Sequence, residues 1–147
     1  MGVAVIGDLI FIIGGWNERS VVVEEVEVMN TTTQTMETLT RNPTGRWGMG
    51  VGVVDDRFIW TFGGYDGLKV FDVIEMCDIK TGEWKTLKVK MTFPRGYSKA
   101  VVVNDKIWII GGISSTDDVE IIDTKTMTWT TAPSLIIPHE FHTVISF

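Results

Sequence analysis

The pair Gly14-Gly15 returns as Gly63-Gly64 and again as Gly111-Gly112, at spacings of 49 and 48 residues in a chain of 147. Self-similarity near 50 residues is the mark of a repeat architecture, in which each unit buries its apolar surface against its neighbours. The period therefore constrains the fold before any single residue does. It also divides the residues by role, because recurring positions build the scaffold and varying positions are free to recognise.

The match extends beyond the glycines. Gly7-Asp8 precedes Ile10-Phe11-Ile12-Ile13, and Asn104-Asp105 precedes Ile107-Trp108-Ile109-Ile110; the second copy, Asp55 to Phe62, carries one extra residue. After each pair and a polar stretch come Val26-Glu27-Val28-Met29-Asn30, Ile74-Glu75-Met76-Cys77-Asp78 and Val119-Glu120-Ile121-Ile122-Asp123. Six residues past each Asn or Asp stands Met36, Trp84 or Trp129, with Thr33, Thr81 or Thr126 three residues earlier. These segments are short, rich in Val, Ile and Trp, and bounded by turn residues, so they predict strands. In the third repeat they fall at Arg95 to Val103, Lys106 to Ile110, Val119 to Ile122 and around Trp129. Asp78 to Glu83 and Asp123 to Thr128 read as tight turns with the leading Asp accepting a backbone hydrogen bond. A four-stranded meander apolar on both faces must stack, and radial stacking gives a β-propeller.

The order Asp, strand, Gly-Gly, Val-Glu-x-x-Asp and then Trp resembles the kelch repeat, and the resemblance covers essentially the whole chain. The Arg that opens a kelch repeat matches Arg46 and Arg95, with His139 in that place in the last segment. Two positions depart from the pattern. Met29, Cys77 and Ile122 stand where kelch repeats usually have Tyr, and Met36 stands for Trp. The expected fold is all-β: a kelch propeller segment over 1–147 with three four-stranded blades. The repeats run approximately 1–45, 46–94 and 95–138, and 139–147 forms the first strand of a further blade. Three blades do not close a ring of the five to seven usual in this family. Either the chain is part of a longer array or two copies combine into a six-bladed homodimer.

Composition excludes several functions. The net charge is −6, from 19 acids against 13 bases, which lacks the basic surface that nucleic-acid binding requires. No 18-residue apolar run marks a membrane span, and Met1 leads into a strand pattern without a basic leader. The lone Cys77 fits a reducing compartment, so cytoplasmic placement is expected. Asn30-Thr31-Thr32 is a glycosylation sequon, but it occupies the turn where the other repeats have Asp, and the turn explains it better.

No catalytic constellation emerges. Gly48-x-Gly50-x-Gly52 lacks the spacing and the helix of a phosphate loop and fits a crowded inner strand. His139 and His142 lie three apart on a strand pattern and so face opposite ways. No Cys stands at metal spacing, so neither metal nor cofactor is expected. Kelch-fold copper oxidases use Tyr and His ligands near a cross-linked Cys, and only Tyr65 and Tyr97 are available here. Cys77 reads as a buried thiol, Ser114-Ser115 as a loop, and Glu27, Glu75 and Glu120 as scaffold carboxylates. Trp60, Trp84, Trp108 and Trp129 read as core.

The loop after each double glycine is the most variable: 12, 11 and 8 residues separate the second Gly from the repeated Glu. The family resemblance implies that this loop and the one entering the first strand open on one face, where peptide-binding members make their contacts. Trp16, Tyr65 and Ile113 follow the double glycines, and Trp47 follows Arg46. With Asn17, Arg19, Asp66, Lys69, Ser114, Arg46 and Arg95 they form the candidate protein-binding set: aromatic anchors with a polar rim. The recurrence of Arg46 and Arg95 also suits an inter-blade structural role. Three functions follow from the resemblance. The first is a non-catalytic protein-interaction module of the kind that recognises substrates for a cullin ubiquitin ligase. The second is an actin- or cytoskeleton-associated protein, and the third an enzyme or small-molecule binder on the same scaffold.

Overall fold

The computed structural model describes residues 1–19, 21–114 and 117–139; His142 and Ser115 lie outside them. No described residue is helical. Twelve strands form three sheets. The first holds β1 (Gly2–Ile6), β2 (Leu9–Trp16), β3 (Val22–Asn30) and β4 (Thr35–Arg41). The second holds β5 (Gly50–Val54), β6 (Phe58–Phe62), β7 (Ile74–Asp78) and β8 (Glu83–Thr86). The third holds β9 (Lys99–Val103), β10 (Lys106–Ile110), β11 (Val119–Asp123) and β12 (Trp129–Thr131). Each is an antiparallel meander in chain order, a kelch-type blade. The strand expected from Arg95 begins instead at Lys99, because Arg95 and its neighbours are drawn into loop contacts described below.

Local chemistry sets the turns. Asn104 and Asp105 join β9 to β10 with φ of 50° and 61°, left-handed values that Asn and Asp tolerate and tight hairpins require. Asp78 and Asp123 each accept backbone hydrogen bonds through Oδ1, from Lys80 in one turn and from Lys125 and Thr126 in the other. Asn30 does the same for Thr32 and Thr33, so the sequon asparagine works as a turn residue.

The blades stack through two apolar clusters. Phe11, Ile13, Val26 and Val28 of the first meet Met49, Ile59 and Cys77 of the second; Trp60, Phe62 and Ile74 of the second meet Ile107, Ile109 and Ile122 of the third. Trp60 is 2% exposed, whereas Trp84, Trp108 and Trp129, also expected in the core, are only half-buried. Trp84 and Trp129 pack at the margins of the clusters. Trp108 occupies the same repeat position as Trp60 but faces away from the second blade, and neither cluster includes it. The opposite face of the first blade is likewise apolar: Val3 pairs with Ile12, and Val5 with Ile10, Met29 and Met36 in one row. Val5 is 60% exposed and Met36 54%.

The inner strands explain the alternating glycines. A Cβ on Gly50 would stand 3.2 Å from that of Ala100, and one on Gly52 3.2 Å from Val102, so larger residues would force β5 and β9 apart.

Two devices recur at the blade junctions. Gly63 and Gly64 have φ of 60° and 104°, and a Cβ on Gly63 would overlap the Arg95 carbonyl oxygen. The freed amide of Gly64 donates to that carbonyl at 2.9 Å; Gly15 does the same to Arg46 at 3.2 Å and Gly112 to His139 at 3.0 Å. The second device is a buried ion pair. Arg46 meets Glu75 at 2.8 Å and Arg95 meets Glu120 at 2.9 Å. Thr44 adds a hydrogen bond to Glu75, and the amide of Thr92 adds one to Glu120. Glu27, at the equivalent position in the first blade, lies on the exposed face and joins no ion pair among the described residues.

Candidate functional site

The junction devices bring the post-glycine loops together at one end of the blades. Trp47, directly after the buried Arg46, exchanges two backbone hydrogen bonds with Tyr65, of 3.0 and 2.9 Å. Gly96 and Ile113 meet at the corresponding place one repeat later, with a single bond of 2.8 Å. The chain therefore carries each residue that follows the repeat Arg onto the residue that follows the next double glycine.

This pairing builds an aromatic row. Trp16 ends β2 and is 49% exposed. Its ring centroid lies 4.2 Å from that of Trp47 at 79°, and Trp47 lies 5.1 Å from Tyr65 at 76°, both edge-to-face. Tyr97 extends the row through its hydroxyl, which accepts a 2.8 Å bond from the Trp47 indole. Gly48, the repeat equivalent of Tyr97, has no side chain, and a Cβ there would stand 2.9 Å from the Tyr97 ring.

The turns beside the row are pinned by short side chains. Asn17 Oδ1 accepts from the amides of Arg19 and Val21, each at 3.0 Å. Asp66 Oδ1 accepts from Leu68 and Lys69, each at 2.8 Å. The Lys69 and Leu68 amides hold the Asp66 carboxyl below the usual carboxylate range. Tyr65 donates its hydroxyl to the Gly67 carbonyl at 2.8 Å. The tip of that turn carries Leu68, 93% exposed. Lys69 places its ammonium 4.9 Å from the Phe71 ring centroid.

Of the sequence-predicted set, the structure joins Trp16, Trp47 and Tyr65, with Arg19 and Lys69 exposed in the adjoining turns. Asn17 and Asp66 each spend Oδ1 on their own turn. Ile113 and Ser114 belong to the corresponding loop of the third blade; Ile113 is half-buried and Ser114 exposed. Arg46 and Arg95 are corrected outright. Both are 0% exposed and locked onto carboxylates, so neither reaches a ligand. Burial lowers the pKa of both, and Glu75 and Glu120 oppose that shift.

Sequence reasoning missed Tyr97 and Leu68. Tyr97 stands two residues past Arg95, in the loop type already singled out for Trp47. Leu68 is the one apolar residue in the polar turn Asp66 to Lys69.

The row offers apolar ring surface. The Trp47 indole and the Tyr65 hydroxyl are both satisfied within the protein, which suits anchoring of apolar or aromatic groups. Among the described residues, no group of three or more His, Cys, Asp or Glu converges to hold a metal ion. No helix there is long and apolar enough to cross a membrane.

Residues 1–144 match the model of the KLHDC2/KLHL20/DRC7 Kelch-repeats domain. No curated protein matches the chain significantly.

Proposed function

The chain belongs to the kelch-repeat family, whose domains serve as protein-interaction modules, and from that premise we propose that it binds a protein or peptide ligand without catalysis, through Trp16, Trp47 and Tyr65. One observation carries this reading. Three large rings form a row in which Trp47 packs against both Trp16 and Tyr65, on loops whose repeat positions do not demand an aromatic, since Ile113 and Gly96 occupy two of them in the third blade. Trp16 is exposed and Trp47 and Tyr65 are half-buried, so a docking partner would remove further ring area from water, and such residues act as interface hot spots of about 2 kcal/mol or more.

The finer reading is substrate recognition for a cullin-type ubiquitin ligase, supported by the likeness of the motif alone. Association of the whole protein with a cullin tests it against the cytoskeletal alternative, which co-sedimentation with actin filaments tests in turn. The acidic balance and the buried lone thiol support a protein partner in the cytoplasm in preference to nucleic acid. The exposed apolar face of the first blade, at Val3, Val5 and Met36, supports coverage by further blades or by a second copy. Native mass spectrometry separates these: a discrete dimer supports six blades from two chains, and heterogeneous oligomers support a longer array. A sharp monomer contradicts both.

The binding test uses a partner captured by the protein and measured against Trp16→Ala, Trp47→Ala, Tyr65→Ala and the control Lys85→Ala. The three aromatic variants should each weaken binding at least tenfold while remaining folded. If all three bind like the control, the ligand uses another surface.

A further inference from the structure

The open face of the first blade repeats, position by position, the face that the third blade turns to the second. Ile10, Ile12 and Met29 stand where the third blade has Ile107, Ile109 and Ile122. Val3 and Val5 pair with Ile12 and Ile10 as Ala100 and Val102 pair with Ile109 and Ile107. All five of those third-blade residues pack in one cluster with Trp60, Phe62 and Met76 of the second blade. In the first blade the same rows meet no blade, and Val3, Val5 and Met36 are exposed.

A carboxylate stands on the same face. Glu27 lies opposite Ile12 in the sheet, as Glu120 lies opposite Ile109. At each junction that carboxylate receives the guanidinium of an arginine in the loop arriving from the blade before: Arg46 for Glu75, Arg95 for Glu120, both arginines fully buried. Glu27 is exposed, and Arg41 of its own blade pairs with Glu25 instead. A second copy of the chain fits the face less well. Its last loop offers His139 in the arginine place. Ile121, the third-blade equivalent of Met76, is already only 8% exposed.

We propose that the open face of the first blade docks a further repeat of the same kind, whose last loop carries an arginine that pairs with Glu27. The proposal rests on the reading that this face is covered, and it names the chemistry of the cover. Large apolar side chains like Trp60, Phe62 and Met76 supply the affinity through area removed from water. The arginine supplies the selection. A purely apolar partner would bury the Glu27 carboxylate without compensation, which is costly, whereas a guanidinium both pairs with it and satisfies its oxygens.

The test joins a copy of residues 50–98 ahead of Gly2 in the full chain. The copied arginine then falls four residues before Gly2, as Arg46 falls four before Gly50 and Arg95 four before Lys99. The extended chain should have a higher thermal midpoint than the 147-residue chain. Glu27→Gln should lower the extended chain's midpoint by about 5 °C or more, the scale for breaking a buried ion pair in a chain of this size. In the 147-residue chain, where the carboxylate is exposed, the same change should stay within about 2 °C. Replacing the copied arginine by Met should give a similar loss, and the two changes together should cost less than their sum. A higher midpoint with a neutral Glu27→Gln overturns the arginine pairing and leaves the coverage of the face intact. An unchanged midpoint overturns both. A discrete dimer of the 147-residue chain that dissociates on Glu27→Gln makes the second copy the occupant and likewise overturns the proposal.

Discussion

The indole of Trp47 donates to the hydroxyl of Tyr97 at 2.8 Å, joining the residue after one repeat Arg to the residue two beyond the next. That bond fixes the tilt of the central ring of the aromatic row across two blades. Tyr97→Phe should cost about 1 kcal/mol, because it leaves a half-buried indole N–H without its partner. The Trp47 indole proton should then exchange with solvent faster. Unchanged exchange in the folded variant would show that the bond does not hold the ring.

Trp60 and Trp108 occupy one repeat position and differ in burial. Trp60→Ala should cost about 3–5 kcal/mol in denaturant unfolding, as expected for a fully enclosed ring. Trp108→Ala should cost about 1–2 kcal/mol in the same chain, since part of its ring already faces water. Equal losses would mean that Trp108 is covered in solution, and the oligomeric state should then be measured at the same concentration.

Arg46→Met should destabilise by about 3–5 kcal/mol, because it strands the Glu75 carboxylate in a buried setting. Arg46→Met combined with Glu75→Leu should cost clearly less than the sum of the single changes. Additivity within about 0.5 kcal/mol would show that the pair is not coupled.

Cys77 is fully buried, and burial raises its thiol from 9.0 to about 11. Native protein at pH 8 should therefore resist a thiol reagent that reacts at once with the unfolded chain. The unfolded thiol ionises near 9.0 and the folded one near 11. Between those values the unfolded state binds fewer protons, so stability falls as pH rises through that window. Replacing Cys77 by Ala should flatten that slope at a cost in packing. Rapid labelling of the native chain at pH 8 would overturn the burial assignment.

The strands were legible because their signals are local: alternating branched residues, Asp- and Asn-led turns, and glycines whose positive φ the chain demands in every copy. Gly50 and Gly52 were legible for a similar reason, since small residues alternating along a strand imply a close neighbour. The fate of Arg46 and Arg95 was half-legible. Their recurrence pointed to a scaffold role, but a charged side chain beside exposed aromatics reads equally well as a ligand contact.

The sequence by itself determined the repeat, its strand order and its double-glycine corners, because these depend on residues near one another in the chain. Only the tertiary structure decided which equivalent residues are equivalent in fact. Trp60 is enclosed and Trp108 is not because a blade packs against one face and not the other. Arg46 is buried because Glu75 lies 29 residues further along the chain and folds onto it. Trp16, Trp47, Tyr65 and Tyr97 form one row because each double-glycine amide is bonded to the loop of the next repeat. Such relationships depend on distances between blades, which no periodicity in the sequence encodes.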